Sequence, residues 1–154
     1  MHPHEALVRR FYACLASRDP EGAARCYHPD VFFSDPLFPR LRGEAVTHLW
    51  RLRLEAQAAW EVRLLEASGD GDGALARWTA RERFRGRAVA IEGRSMFAFR
   101  DGLISRHYDH YSLWRWLARA LGPAGVALGW FGPLRWAVRR RAARSLERFS
   151  AARD

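Results

Sequence analysis

The sequence predicts an α+β fold, with three helices first and a run of long strands after them. In the first third of the chain, apolar residues recur at three- and four-residue steps, which is typical of helices packed on one face. From residue 60 to residue 111, apolar and polar residues alternate between short Gly-containing turns, which indicates antiparallel strands. The chain has 154 residues, 49% of them hydrophobic and 13% aromatic, which is enough for one domain with a sizeable core.

The predicted helices cover residues 3–17, 21–27 and about 43–57. In the first, Leu7, Phe11 and Leu15 share one face. Asp19 is a typical N-cap for the second, which we expect to end before Pro29. The third is predicted to bury its apolar residues, among them Val46, Leu49, Trp50 and Leu54.

A brief strand is predicted at 31–35 and a loop at 37–42, followed by four long strands at 60–67, 74–85, 87–99 and 103–111. The strand at 74–85 has two distinct faces. One is mainly apolar and is formed by Ala74, Ala76, Trp78, Ala80, Glu82 and Phe84. The other is rich in arginine and is formed by Leu75, Arg77, Thr79, Arg81, Arg83 and Arg85.

The last strand carries the most informative pattern in the chain. One of its faces is formed by Leu103, Ser105, His107, Asp109 and Tyr111. An imidazole and a carboxylate two positions apart on an otherwise apolar face are suited to proton transfer. The alternative is a buried structural ion pair, with Arg94 or Arg106 as a further partner.

The chain has a formal net charge of +9, and most of it lies in the tail. Residues 113–154 carry nine Arg against Glu147 and Asp154, whereas the body, residues 1–112, is nearly neutral. We therefore predict no nucleic-acid binding. The tail is a basic, Trp-rich helical extension, whose first segment is expected to close the mouth of the body while its last helix packs on the body or on a partner subunit. Peripheral membrane contact through residues 113–154 is the less favoured alternative.

Cysteine use and hydropathy bear on the compartment. Cys14 and Cys26 fit free thiols in the cytoplasm, although a disulfide between them stays open at this point. We find no signal segment and no apolar run long enough to span a membrane. No close-spaced His or Cys set predicts a metal site, and the predicted chemistry needs no cofactor.

Several short motifs occur in a recognisable order: Phe11-Tyr12, Tyr27-His28-Pro29-Asp30, Asp35-Pro36, and an Asp101-Gly102 hairpin before His107-Tyr108-Asp109. Over about residues 4–112 this order resembles the nuclear transport factor 2-like superfamily, and within it the SnoaL-like group, which is similar to polyketide cyclases, ketosteroid isomerases and limonene epoxide hydrolases. The resemblance implies a curved antiparallel sheet wrapped by helices into a cone, an apolar pocket for a small hydrophobic molecule, and a homodimer formed through the outer sheet face. It also implies cyclisation, isomerisation or hydrolysis by acid–base chemistry, the alternative being a non-catalytic ligand-binding or dimerisation module.

The resemblance also suggests site residues. Asp35 matches the base of ketosteroid isomerases, and Asp109 matches an aspartate of polyketide cyclases and of epoxide hydrolases. The two isomerase oxyanion donors fall on Phe11 and Ser95, and the epoxide-hydrolase arginine has no counterpart on the inner face of the strand at 74–85. The candidate catalytic residues are therefore Asp109, His107 and Asp35, and the candidate ligand-binding residues are Tyr12, Tyr27, Trp50, Trp78, Glu82, Ser95 and Tyr111.

Each candidate has a plainer interpretation. Asp35 before Pro36 is also a turn signal that caps backbone amides, and Glu82 is equally suited to the sheet rim. The aromatic candidates are also suited to ordinary core packing. We expect His28, which precedes Pro29 at the predicted end of the second helix, to act as a helix cap, and His48 and His110 to be exposed.

Overall fold

A curved six-stranded sheet forms the body of the protein in the computed structural model, which describes residues 1–153. The strands are β1 (Tyr27–Ser34), β2 (Leu41–Arg42), β3 (Glu61–Gly69), β4 (Ala74–Phe84), β5 (Arg87–Arg100) and β6 (Leu103–His110), in the spatial order β2-β1-β6-β5-β4-β3. The helices are α1 (Pro3–Ala16), α2 (Pro20–Ala24), α3 (Glu44–Arg51), α4 (Leu113–Leu121), α5 (Pro123–Leu128) and α6 (Gly132–Arg153). The predicted α+β class is confirmed.

The four long strands β3 to β6 form an antiparallel meander, and β1 joins it alongside β6 in parallel. The prediction of a helix over 21–27 is wrong at its end, because α2 stops at Ala24 and Tyr27 already pairs with Ile104 in the sheet. Pro29 is tolerated within β1 because the register with β6 shifts between Tyr27 and Phe32, so the missing amide costs no regular ladder bond.

Two further boundaries differ from the prediction. Within the predicted loop, β2 pairs with Phe32 and Phe33 of β1. The predicted third helix is regular only as far as Arg51, and a π-helical turn over Leu52–Ala56 follows, closed by the bond from the Gln57 amide to the Leu52 carbonyl (3.1 Å). Such turns widen a helix locally and are frequent at functional sites.

Strand β4 shows the two predicted faces. Ala76, Trp78 and Ala80 are buried, while Leu75 and Arg77 are exposed. The buried face packs with α1 and α3 around a core whose fully buried members include Phe11, Leu15, Phe33, Leu49 and Ile104. The same face carries the candidate site residues, so the site is part of this core.

The tail packs on the body. In α4, Trp116 is buried and its indole Nε1 donates to Glu82 Oε1 (2.6 Å). In α6, Leu146 is buried, and Arg139 Nε donates to the carbonyl of Pro36 (2.8 Å). The expectation that His48 is exposed is wrong, because it is half-buried and its Nδ1 lies 2.8 Å from Ser150 Oγ of α6.

Two expectations about the compartment can be compared with the structure. Cys14 and Cys26 are both free thiols, so the disulfide left open by the sequence is not formed. Within residues 1–153, every helix is too short or too polar to cross a membrane.

We predict that Gly93→Ala destabilises the fold. Gly93 lies opposite Trp78 in the β4–β5 ladder, and a Cβ there would overlap the Trp78 ring. Because an overpacked core must shift to relieve the clash, the free energy of unfolding should fall by about 1–3 kcal/mol in urea denaturation. Gly71→Ala is the matched control, since a Cβ at Gly71 meets no atom within 4 Å; equal stability of the two variants would contradict the prediction.

Candidate functional site

The centre of the site is His107, a fully buried imidazole on β6. Its ring packs against the aromatic rings of Phe33, Phe97 and Trp50. Its Nδ1 lies 2.8 Å from the Tyr27 hydroxyl and its Nε2 lies 2.6 Å from Asp109 Oδ1. Both nitrogens therefore have partners although the ring has no contact with solvent.

A second set of bonds reaches Asp109 through Ser95 of β5. The Ser95 hydroxyl donates to Asp109 Oδ1, and Trp78 Nε1 donates to Ser95 Oγ (2.7 Å). Tyr12 of α1 is also bonded to Ser95 Oγ (2.8 Å). Because the serine hydroxyl has a single proton, which is used on Asp109, the Tyr12 hydroxyl must be the donor to Ser95.

The same accounting assigns the tautomer of His107. Trp50 Nε1 donates to the Tyr27 oxygen (2.8 Å), so the Tyr27 proton is free to be donated to His107 Nδ1. The Nε2 proton of a neutral imidazole then points at Asp109. A doubly protonated ring would leave the Tyr27 proton without an acceptor. The network therefore fits a neutral His107 that donates to a carboxylate.

Asp109 keeps one oxygen free. Both of its hydrogen bonds to described residues end on Oδ1. Every side-chain nitrogen or oxygen shut off from solvent in the described part of the chain has a hydrogen-bond partner, so Oδ2 must be accessible. Oδ1 orients the carboxylate, and Oδ2 has its lone pairs available for a proton or a ligand.

The phenols around this network stay protonated. Burial raises the pKa of Tyr12 and of Tyr27 well above the ordinary value, and the nearby Asp109 charge raises both further. Burial also raises the pKa of Tyr111, with Asp35 adding to the effect. These three hydroxyls therefore act as hydrogen-bond donors rather than as bases near neutral pH.

Asp35 does two things at once. Its Oδ1 accepts from the backbone amides of Leu37 (2.8 Å) and Phe38 (2.6 Å), as the turn interpretation expected. Its Oδ2 accepts from Arg53 Nη2 (3.1 Å) in an ion pair whose side chains are only 1% and 11% exposed. Asp35 therefore holds a buried cation as well as a turn.

Arg53 is the functional candidate that the sequence reasoning missed. It lies on the π-helical turn, and its guanidinium is 5.1 Å from the ring centre of Trp50 and 5.5 Å from that of Trp60. The pKa of Arg53 is raised by Asp35, followed by Tyr111, Glu82 and Asp109, although burial opposes the charge. A signal was present in the sequence, because Arg53 follows Trp50 by three positions and so falls on the apolar stripe of the third helix.

A hollow lies between these groups. Its lining includes Asp35, Arg53, Glu82, Asp109 and Tyr111. The space open to the centre of a water molecule is about 30 Å³, which is enough for one or two waters. Arg53 and Glu82 also line a second, outer chamber of about 140 Å³, whose roof is α6 through Val138, Arg141, Ala142 and Ser145.

The predicted site residues divide into two groups. Tyr12, Asp35, Trp50, Trp78, Glu82, Asp109 and Tyr111 line the hollow. Tyr27, Ser95 and His107 lie behind them and position Asp109 through the bonds described above. Glu82 also accepts a hydrogen bond from the Trp116 indole of α4, so it lies where the helical extension meets the hollow.

The other expectations at the site have mixed outcomes. Arg94 and Arg106 are exposed and are not bonded to Asp109, because strand alternation points them to the opposite face. His110 is exposed as expected. The expectation that His28 caps a helix end is wrong, because α2 ends at Ala24 and His28 lies in β1, where its Nδ1 accepts from the Asp30 amide (3.1 Å). Phe11 is fully buried, and the next residue, Tyr12, brings a helix-one hydroxyl to Ser95.

Residues 1–153 contain no group of three or more His, Cys, Asp or Glu side chains arranged to hold a metal ion.

Comparison with known proteins identifies the family. The model of the SnoaL-like domain matches residues 8–107. The chain belongs to the SnoaL-like family. Its solved structural neighbours are proteins of the nuclear transport factor 2-like cone fold. No curated protein matches the sequence.

Three solved structures illustrate the likeness. TerC, co-crystallised with polyporic acid, is 22% identical, with a TM-score of 0.63 over 72% of this chain and 92% of TerC. An epoxide hydrolase of the limonene epoxide hydrolase-like type from M. tuberculosis is 20% identical, with a TM-score of 0.66 over 82% of this chain and 93% of that one. A candidate polyketide cyclase from Xanthomonas campestris is 20% identical, with a TM-score of 0.63 over 77% of this chain and 96% of that one. Identities this low establish a shared fold but do not establish a shared reaction.

The buried ion pair should give stability a specific pH dependence. Burial raises the pKa of Asp35 above its usual value, although Arg53 opposes the shift. From about pH 4 upward the unfolded chain releases a proton that the native state keeps, so Asp35 makes the free energy of unfolding fall as pH rises through that window. Asp35→Asn should remove this part of the slope in urea denaturation measured from about pH 4 upward.

Asp72→Asn is the control for this measurement. Asp72 lies in the exposed turn between β3 and β4, and its variant should keep the wild-type slope. If Asp35→Asn also keeps the wild-type slope, the assignment of the raised pKa to Asp35 is wrong.

Proposed function

We propose that this protein carries out acid–base chemistry on a small, mostly apolar molecule that has at least one oxygen atom. The observation that supports this most strongly is the free oxygen of Asp109, oriented by His107 and Ser95 at the wall of a hollow that also contains Arg53. A positioned carboxylate and a buried cation in one cavity are the elements that proton transfer beside a polarised oxygen requires. Cyclisation, isomerisation and hydrolysis can each proceed through such a transfer.

Each group has a distinct role in this proposal. Asp109 Oδ2 takes a proton from the ligand, or from a water in the hollow, and later returns it. Arg53 faces the ligand oxygen and stabilises the negative charge that develops there, while Asp35 keeps the guanidinium in place. His107 is a positioning residue, because it touches Asp109 and is shut off from solvent.

The size of the chambers limits the ligand. The inner hollow accommodates little more than a water molecule or a single functional group, so the apolar body of the ligand must lie in the outer chamber. That chamber is lined by apolar side chains, among them Phe38, Phe84, Trp116 and Val138. Arg53 lies between the two chambers, where a ligand oxygen would meet it.

Three probes test hydrolysis, isomerisation and binding without assuming a natural substrate. An epoxide such as cyclohexene oxide reports hydrolysis, and a β,γ-unsaturated cyclohexenone reports isomerisation through the absorbance of the conjugated product. Polyporic acid, the compound crystallised with TerC, reports binding through quenching of the tryptophans around the hollow.

Asp109→Asn should abolish turnover of whichever probe the wild type converts, by about 10²- to 10⁴-fold, because the amide cannot accept the proton. Folding, measured by circular dichroism, and polyporic acid binding should be retained, since the amide is nearly isosteric with the carboxylate. Asp101→Asn in the exposed β5–β6 turn is the control and should keep full activity. Turnover that survives Asp109→Asn would end the catalytic assignment.

A non-catalytic ligand-binding or dimerisation module is the second candidate, and the small volume of the inner hollow favours it. This function predicts that the wild type binds polyporic acid without converting either of the other probes, and that Asp109→Asn binds equally well.

The free thiols of Cys14 and Cys26 support a reducing compartment, so we propose a cytoplasmic location for either function.

We also propose a homodimer through the outer face of the sheet. Leu75, Met96 and Tyr108 lie side by side on β4, β5 and β6, and all three are exposed. An apolar row on the outer sheet face fits a second copy of the same face in an isologous contact.

Met96→Glu should weaken this dimer by more than about tenfold, because a charged side chain that must lose its water would replace the apolar contact in the middle of the row. Sedimentation velocity at several concentrations measures the effect. Ala13→Glu, on the exposed side of α1, is the control and should leave the assembly unchanged. A wild-type chain that sediments as a monomer throughout would contradict the proposal.

A further inference from the structure

Large aromatic side chains are exposed where α5 leads into α6. Trp130, Phe131 and Trp136 are 70%, 44% and 59% exposed. Val126 and Leu128 of α5 are exposed beside them. Soluble proteins rarely leave several large apolar side chains exposed along one short segment unless the segment contacts a partner.

The outward face of α6 is basic. Trp136, Arg140, Arg144 and Arg148 follow one another at four-residue steps and are all exposed. The Arg140 guanidinium lies over the Trp136 ring, 5.1 Å from its centre. The opposite face, with Val138, Ala142, Leu146 and Phe149, packs on the body.

Acidic residues are nearly absent from this region. Between Asp109 and Glu147 the sequence contains seven Arg and no Asp or Glu, and Glu147 is the one acidic residue within residues 126–148. The exposed aromatic side chains therefore lie in a predominantly positive field. The partner must be negatively charged and must also accept bulky apolar groups.

We propose that the α5–α6 segment, residues 126–148, is a docking surface for an anionic lipid bilayer. The helix lies in the plane of the interface, with Trp130, Phe131 and Trp136 inserted at the level of the headgroups and the arginines on the lipid phosphates. The body remains outside the bilayer, in keeping with the lack of a spanning helix in residues 1–153. This surface is independent of the chemistry proposed for the hollow.

Other partners fit this surface less well. A second copy of the chain would bring like charges together, which opposes association. A nucleic acid would satisfy the arginines and stack on the tryptophans, but it would leave the aliphatic side chains of Val126 and Leu128 against water. A bilayer satisfies both the charge and the apolar groups.

The test is co-sedimentation of the full-length chain with vesicles of phosphatidylcholine alone or mixed with phosphatidylglycerol. The wild type should pellet with the mixed vesicles and remain in solution with the neutral ones, and high salt should weaken binding. Arg140→Glu/Arg144→Glu and Trp130→Ala/Trp136→Ala should each lower partitioning about tenfold or more, since charges and interfacial aromatics both contribute.

Arg10→Glu/Arg25→Glu is the matched control. It makes the same change in net charge at exposed positions on α1 and after α2, and it should bind the mixed vesicles much as the wild type does. Circular dichroism verifies that all variants are folded. Equal binding of the control and the Arg140/Arg144 variant would overturn the proposal. A wild-type chain that stays in solution with both kinds of vesicle would also overturn the proposal, whether or not it retards a nucleic-acid duplex in a gel.

Discussion

A single chain of hydrogen bonds inside the cone joins six of the twelve helices and strands described above. It runs from Trp50 of α3 through Tyr27 of β1 to His107 of β6, and on through Asp109 to Ser95 of β5. Trp78 of β4 and Tyr12 of α1 end on the same serine. Since an unpaired polar group in such a core is costly, each of these elements is held in register by polar contacts as well as by packing. The same hydrogen bonds hold Asp109 by its Oδ1 atom and leave its Oδ2 atom unbonded.

The extension after the sheet completes the site. Trp116 donates to Glu82 at the junction of the two chambers, and α6 forms the roof of the outer one. Contacts at Leu146 and between His48 and Ser150 hold this roof on the body. Without α6 the outer chamber would lose one wall, so the tail belongs to the site as well as to the outer surface.

Much of this architecture could be predicted from the sequence, because periodicity directly reports which side chains share a face. Alternation placed His107 and Asp109 on one face of β6, and it placed the arginines of β4 outside. The missed features depend on contacts distant in sequence or on irregular backbone. Tyr27 lies in a strand because it pairs with Ile104 across the sheet. Arg53 faces Asp35 on an irregular turn, and no local pattern reveals that pairing.

The π-helical turn sets the direction of the Arg53 side chain. An α-helix advances about 100° per residue, so losing Leu52 would swing the Arg53 guanidinium to another side of the helix while the strands kept their register. The sheet supplies the carboxylate of Asp109, and this turn supplies the cation. The two halves of the electrostatics therefore lie on separate elements, and a one-residue insertion or deletion before Arg53 would move the cation without moving the carboxylate.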